Sequence, residues 1–142
     1  MVSASITKKI PCSKKKLIGM VLDIEKYPEF VPWCLGGKIH TNIDKGNTVE
    51  ITADLTIGKS FFSETYKSFI IYNKSTDSIK VTNIDGPLKH LDNKWFFKQI
   101  GDSSEVDFHV DFELKNKILN IFMIKSFGLG LKKIADAFEK RA

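Results

Sequence analysis

Two periods of hydrophobic residues divide the chain. Over residues 2–10, Val2, Ala4, Ile6 and Ile10 fall on every second position, with Lys8 in the same series; this is the period of a half-buried strand. Pro11 stops it. Ser13 then precedes Leu17, Ile18, Val21 and Leu22, which share one face of a helix that Ser13 caps. Period two returns from Lys38 onward. Val49, Ile51, Ala53, Leu55 and Ile57 alternate with Glu50, Thr52, Asp54 and Thr56. Leu91, Asn93, Trp95 and Phe97 share one side of a later strand, and Val106, Phe108, Val110, Phe112 and Leu114 alternate with Glu105, Asp107, His109, Asp111 and Glu113. Each such strand buries one face and wets the other. Residues 60–72 predict a further strand whose facing stays open because Phe61 and Phe62 are adjacent, and Ile79 and Val81 mark a short one. Gly46-Asn47, Gly58-Lys59, Asp85-Gly86-Pro87 and the Gly-Asp-Ser-Ser run at 101–104 are the expected turns.

In the last stretch, 116–141, Ile121, Ile124, Phe127, Leu131, Ile134 and Phe138 recur at steps of three and four, which is one helical face. At 1.5 Å per residue this helix is about 39 Å long. It exceeds a strand of ordinary length, so a sheet beneath it is expected to curve and to leave room for a cavity. The half 131–138 has a clean apolar stripe suited to packing. The half 118–129 is apolar on several sides, with Phe122 and Met123 off the stripe, and Gly128 and Gly130 stand at the junction. Each glycine costs a helix about 1 kcal/mol relative to alanine, so a bend is expected there, with the first half flanking the cavity mouth and touching a membrane. One N-terminal strand, a helical interruption, about six antiparallel strands and a long helix make an α+β fold. In it a meander curls around the last helix, the early helices close one edge, and a single domain spans 1–142.

Composition narrows the function. The 142 residues, 42% hydrophobic, suit one domain with one core. The longest apolar run, 118–131, is broken by Asn120, Lys125 and Ser126 and falls short of the roughly 18 uninterrupted residues of a spanning helix. Residues 1–10 show neither a signal-peptide h-region nor an Arg-rich amphipathic pattern, so a bacterial cytoplasm is expected. Cys12 and Cys34 lack metal or redox spacing and are expected to be free thiols. The net charge is +5, yet Arg141 is the only arginine among 22 basic residues. Such diffuse lysine suits a solvated surface, or attraction to anionic lipid or ribosomal RNA; DNA is not an expected partner. The inward faces of 49–57, 95–97 and 106–112 carry no titratable side chain, whereas acid–base catalysis needs one within reach of substrate. His109 lies on the wet face between Asp107 and Asp111, at steps of roughly 6–7 Å, too wide to share a metal without rearrangement. Neither catalysis nor a required cofactor is expected.

The string Tyr27-Pro28-Glu29-Phe30-Val31-Pro32-Trp33-Cys34 carries two prolines four apart, which excludes a long helix. It predicts a turn or a single helical turn whose aromatics either plug a corner of the core or form the lid of a cavity. Together with Gly86-Pro87-Leu88-Lys89-His90-Leu91, Trp95, Phe97 and the ending Ala137-Phe138-Glu139-Lys140-Arg141-Ala142, it resembles the coenzyme Q-binding START-domain family. That family lies within the polyketide cyclase/START superfamily and includes bacterial ribosome association toxins; Leu88 stands where it usually has phenylalanine. The resemblance implies a helix-grip fold, a seven-stranded antiparallel sheet wrapped around the C-terminal helix with a lipid-sized tunnel between them. It further implies binding of ubiquinone or a polyprenyl precursor in support of respiration. The expected lining is Trp33, Ile51, Ala53, Leu55, Tyr66, Val81, Asn83, Trp95, Phe97, Phe108, Val110, Phe112, Phe122, Phe127 and Leu131. Polar contacts to the quinone ring are expected from Trp33, Tyr66, Asn83 or Asn93. The expected function is a non-catalytic quinone carrier docking transiently on the bacterial inner membrane, or on the matrix side of the mitochondrial one. The alternative is a regulator that binds the large ribosomal subunit.

Overall fold

The computed structural model describes residues 2–59, 62–85 and 88–142, excluding the side chains of 2, 59, 62, 85, 119, 120 and 122–130. In order they form β1 (Val2–Ile10), α1 (Lys14–Leu22), a 3₁₀ turn (Ile24–Glu29), β2 (Cys34–Asp44), β3 (Thr48–Lys59), β4 (Phe62–Asn73), β5 (Ser78–Asp85), β6 (Leu88–Ile100), β7 (Ser103–Leu114) and α2 (Lys117–Arg141). The seven strands make one sheet in the order β1-β7-β6-β5-β4-β3-β2, every pair antiparallel. The meander expected from the alternation is therefore present, with β1 added beside β7 and α2 after it, which is the helix-grip arrangement. At the upper end of the sheet β2, β4 and β6 begin, β3, β5 and β7 finish, and α2 departs. The lower end holds α1 and the hairpins at 45–47, 74–77 and 101–102.

The helix is not longer than its sheet. β3, β4 and β7 have 12 residues each and β6 has 13, about 40 Å at 3.3 Å per residue, and the 25 residues of α2 span about 37 Å. Register shifts at Cys34/Gly36, Ile39/Thr41, Lys67/Ser68 and Leu88/His90 insert extra residues that bend the strands. Three expected boundaries move. Gly58 and Lys59 pair with Ser63 and Phe62 and belong to β3 rather than to a turn, because pairing satisfies their backbone groups. β2 starts at Cys34, four residues before Lys38. Ser103 and Ser104 belong to β7, which leaves Gly101 (φ 58°) and Asp102 as the turn. Residues 60 and 61, expected to begin a strand, and 86 and 87, expected at a turn, lie outside the described residues.

Ser13 caps α1, its hydroxyl accepting from the Lys16 N–H at 3.1 Å, and Leu17, Ile18 and Val21 are buried. Cations in a first turn oppose the helix dipole; here the Lys14 ammonium reaches Asp77 at 2.8 Å and its N–H donates to Gln99 Oε1 at 2.7 Å. The 3₁₀ turn contains Pro28 and crosses β2 so closely that a Cβ on Gly37 would lie 2.4 Å from the Ile24 carbonyl oxygen. Trp33 ends this segment in the left-handed region (φ 62°), and its carbonyl accepts from the Gly58 N–H at 2.9 Å.

Two apolar clusters occupy the concave face. The lower one joins Leu17, Ile18, Val21 and Ile24 to Ile51, Ile70, Ile79, Trp95, Phe97, Val106 and Phe138. The upper one holds Leu88, Leu91, Val110 and Phe112, with Tyr66, Val81, Phe108 and Leu114 against it. Val81 and Phe108 touch both. Along α2, Leu131 and Phe138 are buried, whereas Ile121 is 56% exposed. Of the described residues of the apolar stripe read from the sequence, Ile121 is thus outside the core and Leu131 and Phe138 are in it, because a helical face is buried only where a partner lies opposite, as Tyr27, Phe30 and Trp95 do for Phe138. The side chains of Phe122, Met123, Ile124 and Phe127 and the expected bend at Gly128 and Gly130 lie outside the described residues.

Candidate functional site

The register arranges the concave face in rows. Ile51, Ile70, Val81, Asn93 and Val110 are successive cross-strand partners. One row toward the upper end, Ile39, Ala53, Ser68 and Asn83 align, followed by Gly37, Leu55 and Tyr66. Below the first row the space is filled. Trp95 lies parallel to Phe97 at 6.2 Å and meets Phe108 and Phe138 edge-on at 4.5 and 5.5 Å, a geometry that adds to the gain from burial alone. Between α2, β1, β6 and β7 there remains a cavity of about 20 Å³ bordered by Ile6, Lys8, Trp95, Phe108, Leu131 and Phe138, room for about one water. Ile51, Trp95, Phe97 and Leu131, expected to line a tunnel, are here parts of a closed core.

Two further expectations change. Lys8 stands at the cavity wall, so the concave face does carry a titratable group. Its ammonium is held by Asp136 at 2.6 Å and Glu139 at 3.4 Å, and the hydrogen bond to Asp136 raises its pKa and keeps it charged. Asn93 was a candidate for the quinone ring, but its amide is already engaged: its Oδ1 accepts from the Trp95 indole N–H at 2.9 Å and its Nδ2 donates to the His109 carbonyl at 2.9 Å. A buried amide satisfied in this way fixes the indole.

The upper half differs. Ser68 is 4% exposed. Burial, with Cys34 nearby, pushes the Tyr66 phenol pKa up, so it is a neutral donor at physiological pH. Asn83 donates from Nδ2 to the Leu88 carbonyl at 3.2 Å, which leaves its Oδ1 as an acceptor. The register shift between Lys67 and Ser68 leaves Ile84 without a partner on β4. Ser68 was not among the expected residues; it stands two positions from Tyr66 on the same strand face, but the adjacent Phe61 and Phe62 concealed which face of that strand is inward.

At the upper rim Trp33 is half-buried, with the Lys133 ammonium 6.0 Å from its ring centroid, within cation–π range. Tyr27 and Phe30 instead pack edge-on against Phe138, so the aromatic string divides between plug and rim. Leu35, Ile84, Ile118 and Ile121 are 55%, 51%, 80% and 56% exposed at this end, beside exposed Lys89, Lys115 and Lys117. Among the described residues no helix is long and apolar enough to cross a membrane. On the convex face His109 Nδ1 meets Ser5 Oγ at 2.6 Å and its Nε2 meets Asp111 at 2.9 Å, while Asp107 accepts from Thr7. These groups pair across β1 and β7 and do not converge on one point.

Seven antiparallel strands gripping one long helix over an apolar concave face define a START-like protein. A family model described as polyketide cyclase / dehydrase and lipid transport matches residues 17–139, and the chain belongs to that family. It is 34% identical to the ribosome association toxin RatA of Rickettsia prowazekii over 100% of this chain and 97% of that protein. It is 28% identical to the mitochondrial coenzyme Q-binding protein COQ10 of Dictyostelium discoideum over 99% of this chain and 69% of that protein. The solution structure of an 18 kDa protein from Caulobacter crescentus matches with a TM-score of 0.82 at 30% identity, covering 100% of this chain and 96% of that one. The family description spans cyclases and lipid transport alike, so membership alone does not separate catalysis from binding.

Proposed function

We propose that the protein is a non-catalytic carrier for a polyprenyl quinone, ubiquinone or a relative, taken up at the upper end of the concave face during transient contact with a membrane. The observation that carries this reading is the pairing of an apolar concave surface with an apolar rim at the same end: Leu35, Ile84, Ile118 and Ile121 are exposed where Leu88, Leu91, Val110 and Phe112 form the upper cluster. An isoprenoid tail gains about 0.8 kcal/mol for each CH₂ it buries, so lining of this kind supplies affinity without chemistry. A lipid leaving a bilayer also needs an apolar rim to cross, and the rim lysines suit an anionic surface. The ionisable concave groups support binding over catalysis, since Lys8 is engaged by carboxylates and the Tyr66 phenol is neutral. The 28% identical relative named for coenzyme Q binding supports the choice of ligand. The site of action would be the cytoplasmic face of a bacterial inner membrane, or the matrix face of the mitochondrial one. Organic extraction of the purified protein followed by mass spectrometry is expected to yield a prenyl quinone; its repeated absence, with no uptake of added ubiquinone, overturns the reading.

A second reading rests on the relative named as a ribosome association toxin, 34% identical over the full chain. It makes the protein a regulator that binds the large ribosomal subunit. Co-sedimentation with that subunit, falling steeply with salt as phosphate contacts do, is its test, and no co-sedimentation at low salt removes it.

A further inference from the structure

The convex face carries a line of polar side chains for which lipid binding has no use. β1 is the outermost strand on its side of the sheet, and its exposed residues Ser3, Ser5 and Thr7 stand in register opposite Asp111, His109 and Asp107 of β7. Each hydroxyl is hydrogen-bonded to its cross-strand partner, but the partners differ in kind. Ser3 and Thr7 donate to the carboxylates of Asp111 and Asp107. Ser5 Oγ instead meets the imidazole of His109, at 2.6 Å from Nδ1, and the other ring nitrogen, Nε2, lies 2.9 Å from Asp111 Oδ2. Hydroxyl, imidazole and carboxylate therefore follow one another in a chain.

The direction of that chain follows from Asp111. Hydrogen bonds from Ser3 and His109 lower its carboxyl pKa, so the group is ionised at neutral pH and only accepts. The proton between it and the ring is then on Nε2. In the neutral imidazole this leaves Nδ1 bare, and the Ser5 hydroxyl donates to it. A hydroxyl bonded to a base, with the base oriented by a third group, is the arrangement that activates a nucleophile. Asp111 is itself steadied by Ser3, so the ring is fixed from both of its nitrogens. Ser3 and Thr7 share the strand, the face and the exposure of Ser5 but lack the base, because a carboxylate of ordinary acidity is a far weaker proton acceptor than imidazole.

We propose that Ser5 is an acylation site: its Oγ attacks the carbonyl carbon of an activated ester, His109 takes the proton at Nδ1, and Asp111 positions the imidazole. The bond from Oγ to the acyl carbon forms and the bond from that carbon to the leaving oxygen breaks. The proton held by His109 passes to the departing oxygen, so the products are an O-acyl serine and a free alcohol or phenol. Ser5 is reached from solvent on an open strand face, where nothing encloses the acyl group. The reaction therefore ends at the serine ester and does not turn over, which makes the protein a substrate for modification and not a hydrolase. This goes beyond the carrier reading and does not depend on it, since Ser5 lies on the face of the sheet opposite the apolar concave surface.

The test uses the full chain with p-nitrophenyl acetate as the acyl donor, followed by tryptic cleavage after Lys8 and fragmentation of peptide 1–8 to locate the acetyl group. General-base assistance contributes about 100-fold or more, so Ser5 is expected to be acetylated about 100-fold faster than Ser3 or Thr7 in the same peptide. His109→Gln is expected to bring Ser5 down to the rate of Ser3 and Thr7. Asp111→Asn, which leaves the base but not the group that orients it, is expected to slow Ser5 by about 10-fold or more. Thermal unfolding checks that both variants fold. Nitrogen-15 shifts of His109 supply a readout that packing alone would not move: the neutral ring is expected with its proton on Nε2 in the unaltered protein, and with that preference lost in Asp111→Asn. Equal labelling of Ser3, Ser5 and Thr7 overturns the proposal, and that measurement needs no variant. A neutral ring protonated at Nδ1 overturns it as well, because the imidazole would then donate to Ser5 and have no site for its proton. Unchanged Ser5 labelling in folded His109→Gln removes the base and with it the proposal.

Discussion

The two ends of the concave face are built from the same strands and finished differently. At the lower end Trp95, Phe97, Phe108 and Phe138 meet ring to ring, α1 and the 3₁₀ turn add Leu17, Val21 and Ile24, and a space of about 20 Å³ remains between α2 and the sheet. At the upper end four buried apolar residues form a smaller cluster, and apolar side chains stand in solvent around the rim. The alternation along β7 runs unbroken through both, and that along β6 does so from Leu91 onward. Strand pattern therefore tells which face is inward, and the covering element decides whether that face is a core or a binding surface.

The sharpest way to break this comparison is to truncate one residue at each end. Phe138→Ala removes a ring that touches Tyr27, Phe30 and Trp95, and should cost about 3–5 kcal/mol in urea unfolding. Leu91→Ala in the upper cluster should cost about 2 kcal/mol, the low end for such truncations, because its surroundings are less filled. Equal losses would make the upper end ordinary core. Ubiquinone-2 sharpens the contrast: at about one hundred times its dissociation constant, a ligand that binds only the folded state adds about 2.7 kcal/mol. Measured at one fixed ligand concentration, that gain should shrink in Leu91→Ala. A smaller effect on stability is expected at the rim. Replacing both Ile118 and Ile121, already exposed, by serine should shift unfolding by no more than about 0.5 kcal/mol per site while weakening flotation with anionic vesicles several-fold. Unchanged flotation would separate the rim from any membrane.

Much of the fold was legible because its signals are local. Val106 to Leu114 alternates without a break, Ser13 caps α1 as read, and the strand count, their antiparallel order and the C-terminal helix all follow from periodicity. The moved boundaries were less legible, since Gly58 and Lys59 look like a turn in isolation but pair with β4. The site was legible only in part. Ala53, Leu55, Tyr66, Val81, Asn83, Val110 and Phe112 do share the inward face, but the division between core and upper cluster depends on what α1, the 3₁₀ turn and α2 cover, contacts remote in sequence. Ser68 was missed because two adjacent phenylalanines erase the phase of β4. The engagement of Asn93 was invisible for a related reason, because its His109 partner lies on the next strand.

Acid gives the smallest expected effect and the most local one. The C-terminal end of α2 is tied down by carboxylates: Arg141 donates to Glu29 at 2.8 Å and its guanidinium lies 4.9 Å from the Phe30 ring centroid, while Lys8 donates to Asp136 at 2.6 Å. The hydrogen bond from Arg141 lowers the Glu29 pKa and that from Lys8 lowers the Asp136 pKa. A carboxylate whose pKa is depressed on folding contributes stability above its unfolded value, and that contribution is lost as the pH falls through the folded one. Both groups are at the surface, where ion pairs contribute little, so global unfolding should hardly register the change. Amide hydrogen exchange should, once corrected for intrinsic rates: protection at 134–142 is expected to fall relative to β7 as the pH drops below about 4, where ordinary carboxylates begin to protonate. Glu29→Gln should lower that protection at neutral pH and flatten its acid dependence. If 134–142 and β7 lose protection in step, the carboxylates do not hold the helix, and the firmness of the lower end comes from its rings alone.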